Sequence, residues 1–234
     1  MPDQVTQKDF NLMIMQAAFA MCFKPHEEYL SEGQVVGRGL SPLESYSKSC
    51  IAKLIDNGSV EFKLIEPTFP LDGADNTLCI KRPVSESQLH DFICKRSEQI
   101  KVFLSQSADY RFYLHALIQD IVTCECIEYA EYYAARNNLK IRDPISSNAR
   151  LRLLVMENPA EKVNALMWMA IKHLSKELSS EQKLVDLDEI VTLAFETYVR
   201  YKKLNINMEG YKSPSQIKPS ILSGMLELYR SSTL

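Results

Sequence analysis

The stretch "GLSPLESYSKSCIAKLIDNGSVEF", residues 39–62, decides how the N-terminal part of the chain folds. Ser41, Pro42 and Glu44 have the types and spacing of an N-cap, a first helical residue and a reciprocal capping partner. Asn57-Gly58 supplies the left-handed residue that ends many helices. One apolar face at helical spacing is formed by Leu43, Tyr46, Cys50, Ile51, Leu54 and Ile55. The stretch therefore predicts a helix over 42–56 that runs into a strand.

The flanking segments complete a recognisable order of elements. Apolar spacing predicts a first helix over 8–22, a helical turn around "HEEYL", and a brief strand at Val35 and Val36. After the helix over 42–56, "SVEFKLI" and "TLCIKR" have strand chemistry, and "EPTFPLDGADN" between them is rich in turn formers. Helix, strand, long loop and strand is the order of a winged-helix module, in which the loop is the wing.

From Val84 onward the sequence has no further strand signals and predicts a series of helices. The longest begins after Ser107, is apolar on nearly every side, and ends at Asn137 and Asn138, so we expect it to be the central helix of a bundle. The predicted fold class is mainly α, with a winged-helix-like module that carries a small β-hairpin wing, followed by an α-helical bundle. The predicted domains are 1–105 and 106–234.

Composition limits the classes of protein to consider. The 234 residues are 46% hydrophobic, which supports a buried core, and the net charge of −3 argues against a uniformly basic, nucleic-acid-coating surface. No stretch approaches the ~20 apolar residues of a membrane span, and the N-terminus lacks the cationic start of a signal peptide. The six cysteines lie in apolar patterns, as reduced cysteines do. We predict a cytoplasmic protein that does not contact a membrane.

Reaction chemistry is hard to find in this sequence. It contains no G-x-S-x-G, no phosphate-binding glycine loop and no C-x-x-C. The "EFK" at residues 61–63 lacks the preceding aspartate of a nuclease site. The pairs Cys22/His26 and His90/Cys94 could in principle form a Cys2His2 zinc site, but Pro25 interrupts the first pair and neither contains a C-x-x-C. We therefore predict that the chain is not an enzyme and has no catalytic residue, no cofactor and no metal site.

Two surfaces are candidates for binding. On the helix over 42–56, Ser45, Ser49, Ala52 and Asp56 lie opposite the apolar face, with Lys48 and Lys53 on the flanks. Further cations that could contact a phosphate backbone are Arg38, Lys63, Lys81 and Arg82. Either DNA contact or protein docking fits this face, and the overall acidity favours protein docking.

The second surface is "YVRYKKLNINMEGYK", in which aromatic and basic residues alternate. Such a mixture can hold phosphate and stack bases. It is also typical of a helix end, where cations lie near the last carbonyls and tyrosines are half-buried. The candidate contact residues here are Tyr198, Arg200, Tyr201, Lys202 and Lys203.

A winged-helix-like part carried by "LSPLESYSKSCIAKLIDNGSVEFKLI", followed by helices without a catalytic motif, resembles the small accessory subunits of SMC-like, Lamassu-type bacterial defence complexes. The resemblance covers the general layout of the chain. It implies an adaptor that connects an SMC-like ATPase to a nuclease effector in anti-phage or anti-plasmid defence, with indirect or weak direct DNA contact. The predicted function is a non-catalytic accessory subunit of a multi-protein bacterial complex acting on DNA. The alternative is a stand-alone winged-helix DNA-binding regulator.

Overall fold

A computed structural model describes residues 5–65, 77–142, 149–176 and 183–231. The protein is mainly helical, as predicted, and a 3₁₀ turn at Glu86–Gln88 precedes α4. The helices are α1 Gln7–Met21, α2 Glu32–Gly37, α3 Glu44–Asp56, α4 Leu89–Gln106, α5 Ala108–Ala135, α6 Ala149–Glu157, α7 Ala160–Lys176, α8 Leu187–Lys203 and α9 Ile221–Ser231. The strands are β1 Tyr29–Ser31, β2 Phe62–Ile65, β3 Thr77–Lys81, β4 Leu139–Arg142 and β5 Lys183–Asp186.

The chain divides into two compact units. Unit 1 comprises Met1–Ile118 and Pro219–Leu234, and unit 2 comprises Gln119–Lys218. The predicted domains were 1–105 and 106–234. In the structure the first boundary follows Ile118, and α9 belongs to unit 1 with the N-terminal residues. The start of α9 is held in unit 1 by the Ile221 amide, which donates to the Gly39 carbonyl at 2.8 Å.

Helix α1 supplies much of the core of unit 1. Thr6 caps it: its Oγ1 accepts from the Asp9 amide at 3.2 Å, while the Asp9 carboxylate accepts from the Thr6 amide at 3.3 Å. The fully buried residues of this helix are Phe10, Ile14, Ala17, Ala18, Phe19 and Ala20. They pack among α3, α4 and α9, so this helix lies at the centre of the unit.

A three-stranded antiparallel sheet with the order β1-β3-β2 accompanies these helices. Leu30 faces Ile80 in one pair, and Lys63 faces Cys79 in the other. The predicted strand at Val35 and Val36 is wrong, because Ser31 and Gln34 form a capping box that starts α2 there. The predicted helical turn around "HEEYL" is also wrong, since β1 begins within it. The predicted wing, residues 66–76, lies outside the described residues.

The helix predicted over 42–56 forms, but Ser41 does not cap it. The N-cap residue of α3 is Leu43, and no side chain caps the helix. Ser41 is instead buried, where its Oγ donates to the Leu43 carbonyl at 2.7 Å and meets Ser47 Oγ at 2.9 Å. The serine therefore secures the chain leading into α3 through a buried hydrogen bond.

In unit 2, α7 packs against α8, and α6 packs against both. The expectation that strands end before Val84 is wrong, because β4 and β5 pair in parallel with Ile141 opposite Val185. Leu139 and Ile141 are buried and alternate with exposed Lys140 and Arg142, which is strand periodicity. Helix α5 ends before Asn137 and Asn138, as predicted, and Asn138 takes a left-handed φ of 56°.

Candidate interaction surfaces

The outer face of α3 matches the helical projection of its sequence. Ser45, Ser49, Ala52, Lys53 and Asp56 are exposed. The opposite face buries Ser47, Cys50, Ile51 and Leu54. Glu44 and Lys48 are exposed as well, so the helix presents small side chains together with charges of both signs to solvent.

Lys48 is held by two carboxylates. Its Nζ lies 2.8 Å from Glu44 and 3.7 Å from Glu32, and the hydrogen bond that Lys48 donates to Glu44 is the main reason why the pKa of Lys48 is raised. Lys53 makes no ion pair within the described residues. Because Glu44 offsets Lys48, the positive charge available to a phosphate backbone on this face is small.

Arg38 and Arg82 are engaged inside unit 1. Arg38 bonds both carboxylate oxygens of Glu27 and also donates to the Cys22 carbonyl. Arg82 is 8% exposed and donates Nε to the Val84 carbonyl at 2.9 Å and Nη1 to the Pro25 carbonyl at 2.5 Å. These two guanidinium groups therefore stabilise the connections around the sheet.

The remaining predicted cations of unit 1 lie on the sheet, where Lys63 is exposed and Lys81 is half-buried. Lys63 Nζ lies 5.3 Å from the ring centroid of Tyr29, and Lys81 Nζ lies 3.7 Å from Glu61. The first is a cation–π contact and the second an ion pair, and both kinds of contact are weak at a protein surface. Lys63 is therefore available to a partner at little cost.

On α8, the predicted aromatic and basic residues separate into two groups. Tyr198 and Lys202 both donate to Glu157 of α6, the lysine at 2.8 Å, and these bonds, Lys202 first, lower the pKa of Glu157. Tyr201 points its hydroxyl towards Met169 Sδ at 3.8 Å, on the side that packs on α7. These three residues are thus used within unit 2.

Arg200 and Lys203 form the second group. Both are exposed, and neither makes an ion pair within the described part of the chain. They line a groove on the outer side of α8. Of the residues predicted on this helix, these two keep their charge available to a partner.

That groove was not predicted from the sequence. Two adjoining cavities of about 590 and 430 Å³ share Phe195, Val199 and Lys203 and extend from α8 to Leu153 of α6. We call their combined lining the α6–α8 groove. Its residues are Leu153, Glu157, Phe195, Glu196, Tyr198, Val199, Arg200, Lys202, Lys203 and Leu204.

Large apolar side chains are exposed in and beside this groove. Leu153 is 46% exposed, Leu204 58%, and the neighbouring Met156 61%. The sequence contained a usable signal: Leu153 and Met156 fall outside the buried stripe of α6, which consists of Leu151, Leu154 and Val155. Several large exposed apolar side chains at one groove are typical of interaction sites.

The cysteines named as candidate ligands lie in different environments. Burial raises the pKa of the Cys22 and Cys50 thiols to about 12, which makes them poor nucleophiles. Cys94 Sγ lies 3.5 Å from His90 Nε2 on the exposed face of α4. Among the described residues, no three His, Cys, Asp or Glu side chains form a group that could hold a metal ion.

Unit 1 also contains a cavity of about 530 Å³ beside the sheet. Its lining mixes Glu28, Glu61 and Glu86 with Lys81 and Arg82, and the Lys81–Glu61 pair offsets part of that charge. Mixed signs of this kind select no single class of ligand.

No helix in the described ranges combines the length and the apolar character needed to cross a membrane. The chain matches no known family profile, no curated protein and no solved structure.

Proposed function

We propose that residues 6–82 form a winged-helix module. The order α1, β1, α2, α3, β2, β3 and the central position of β3 in the sheet support this proposal. In such modules the third helix is the one that most often contacts a groove or a partner. This assigns the contact role in unit 1 to the outer face of α3.

We propose further that the protein is a non-catalytic adaptor subunit of a multi-protein bacterial complex acting on DNA. The observation that carries the proposal is the α6–α8 groove, where leucine side chains about half exposed adjoin Arg200 and Lys203, two cations with no ion pair in the described ranges. A protein that works alone has little use for such a surface, whereas a subunit buries it against a partner. By the resemblance given above, the partners are an SMC-like ATPase and a nuclease effector of a defence system.

The state of the cations around α3 favours docking over DNA reading. A DNA-reading module needs several side chains free to contact phosphates and base edges. Arg38 and Arg82 donate to groups inside unit 1, and Lys48 is paired with Glu44. The outer face of α3 therefore suits a protein surface better than a duplex.

Affinity purification from the source cells, with and without nuclease treatment, tests the adaptor function. Stoichiometric protein partners that survive nuclease treatment are the expected result. Lys53→Glu serves as the test variant for α3 and Lys95→Glu, exposed on α4, as its control. A monodisperse monomer that recovers no protein would contradict the proposal.

A second candidate, the stand-alone DNA-binding regulator, is favoured by one observation. Ser45, Ser49 and Ala52 are small and exposed, which lets α3 approach a groove closely, with Lys53 beside them. This function predicts duplex binding that weakens steeply with salt, because binding releases counterions. Fluorescence anisotropy with a labelled duplex at low salt tests this second function. Flat binding curves, or binding that Lys53→Glu does not change, would exclude it.

A further inference from the structure

We infer that the α6–α8 groove docks an acidic amphipathic helix of a partner protein. The inference deepens the proposed adaptor function, on which it rests for the existence of a partner. It specifies the chemistry of that partner and the side chains of this chain that contact it.

The floor of the groove is apolar and follows the helical repeat. Phe195 and Val199 lie one turn apart on α8, and Leu153 faces them from α6. From Phe195 to Leu204 the groove runs about 14 Å along the helix, if each residue rises ~1.5 Å. This length suits two to three turns of a helix that places apolar residues at i, i+3 or i+4, and i+7.

The charges at the rim favour an acidic partner. The charge of Glu157 is offset by Lys202, and the same carboxylate accepts a hydrogen bond from Tyr198. Arg200 and Lys203 are therefore left against the single carboxylate of Glu196 in the lining. Opposite charges on a docking helix would meet these two cations at the edge of the apolar floor, where they orient the partner and speed its association. A basic partner would meet the same cations and be repelled.

The same residues fit a nucleic acid less well. Single strands bind by stacking bases on exposed aromatic faces beside a continuous basic track. Here Phe195 and Tyr198 are half-buried, the tyrosine hydroxyl is occupied by Glu157, and leucine and valine form most of the remaining floor. Aliphatic side chains gain most by covering the apolar face of a peptide helix.

A displayed library of random peptides of about 16 residues, roughly 24 Å as a helix, tests the inference on the full chain. We expect enriched peptides to carry Asp and Glu on one side and apolar residues at helical spacing on the other. Leu153→Glu, and the pair Arg200→Glu with Lys203→Glu, should each weaken their binding about tenfold or more. The matched control is Leu228→Glu, which places the same charge at a leucine 71% exposed on α9 and should leave binding unchanged.

Each other outcome overturns the inference. These outcomes are enrichment of basic or uncharged peptides, enrichment that Leu153→Glu does not affect, and no enrichment on the wild-type protein. Binding of a single-stranded oligonucleotide that requires Arg200 and Lys203 but not Leu153 would assign the groove to nucleic acid. Self-association in sedimentation that Leu153→Glu abolishes would assign it to a second copy. Because the library needs no native partner, its result is independent of the affinity purification that tests the adaptor function.

Discussion

Arg38 donates two hydrogen bonds to the carboxylate of Glu27, from Nη1 to Oε2 at 2.5 Å and from Nη2 to Oε1 at 2.7 Å. Arg38 follows α2, and Glu27 lies in the turn between α1 and β1. The same guanidinium also donates to the carbonyl of Cys22 at the end of α1. One side chain thus joins the connection after α2 to the connection between α1 and β1, which explains why this arginine is not available to a phosphate.

The first prediction concerns this two-bond geometry. Arg38→Lys keeps the charge but replaces a planar fork with a single ammonium, which cannot satisfy both carboxylate oxygens and the Cys22 carbonyl equally well. We expect a lower urea midpoint at neutral pH. The control is Arg111→Lys, the same change at an exposed position on α5. Equal midpoints for the two variants would show that the fork adds nothing to stability.

The pH dependence of the same pair is the second prediction. The hydrogen bonds from Arg38 lower the pKa of Glu27 to about 2, below the ordinary ~4.3 of an unfolded glutamate. The stabilisation is therefore complete above about pH 4.5 and is lost as the pH falls towards 2. The urea midpoint of Glu27→Gln should lie below wild type at pH 6, and the gap should narrow towards pH 3. A gap that stays constant over this range would contradict the assignment.

How far the sequence predicts the fold depends on how local the signals are. The existence of helices α1, α3 and α5 follows from apolar patterns that involve only residues close together in sequence. The predicted start of α3 was wrong, because Ser41 does not cap it. Strands β4 and β5 were missed because each has only four residues and their pairing depends on partners far apart along the chain. The four residues "LKIR" of β4 form a strand because they pair with β5, and that pairing cannot be predicted from four residues alone.

The candidate surfaces show the same limit. The outer face of α3 was predicted correctly because a helical projection needs only residue spacing. Arg38 and Arg82 were expected on the surface because cations usually are. Their acceptors, Glu27 and backbone carbonyls, are brought to them only by the folded chain. A charged residue in a sequence is therefore a weak indicator of a contact with a partner. The groups that surround the residue in the folded chain decide whether its charge is available.

Buried Ser47 provides the third prediction. It is fully buried, and its Oγ accepts from the Ser41 amide at 3.2 Å and meets Ser41 Oγ at 2.9 Å. Ser47→Ala leaves a buried amide without this acceptor, and we expect a loss of about 1–3 kcal/mol in the free energy of unfolding. Urea titration measures it, and Ser45→Ala on the exposed face of the same helix should stay within about 0.5 kcal/mol of wild type. Similar values for both variants would refute the role of this hydrogen bond.

Gly210 gives the fourth prediction. A Cβ at this position would lie 2.6 Å from Glu161 Cβ, closer than such atoms pack, and 3.0 Å from the Glu161 carbonyl carbon, which is a tight contact. Gly210→Ala should displace the segment, lengthening the 2.7 Å hydrogen bond from the Tyr211 amide to Glu161 and costing about 1–3 kcal/mol.

Trp168 reports that displacement directly. It is the single tryptophan of the chain, and its ring meets Tyr211 edge-on with centroids 5.4 Å apart. We expect its emission to shift to longer wavelength in Gly210→Ala as the tyrosine moves away. Gly224→Ala is the control, because a Cβ at that helical position meets no atom within 4 Å. Equal stability and emission in both variants would show that the close approach imposes no constraint.

Glu128 on α5 supplies the last prediction. Partial burial, followed by the neighbouring carboxylates of Glu125 and Glu131, raises its pKa to about 7. An unfolded glutamate ionises near ~4.3, so the folded state holds its proton more tightly and loses stability as the pH rises from about 4.5 to 7. Glu128→Gln removes that loss. Its thermal midpoint should match wild type more closely at pH 5 and exceed it at pH 8, whereas Glu98→Gln, exposed on α4, should show no such divergence. Parallel curves for Glu128→Gln and wild type between pH 5 and 8 would mean that this carboxyl ionises as freely in the folded protein as in the unfolded chain.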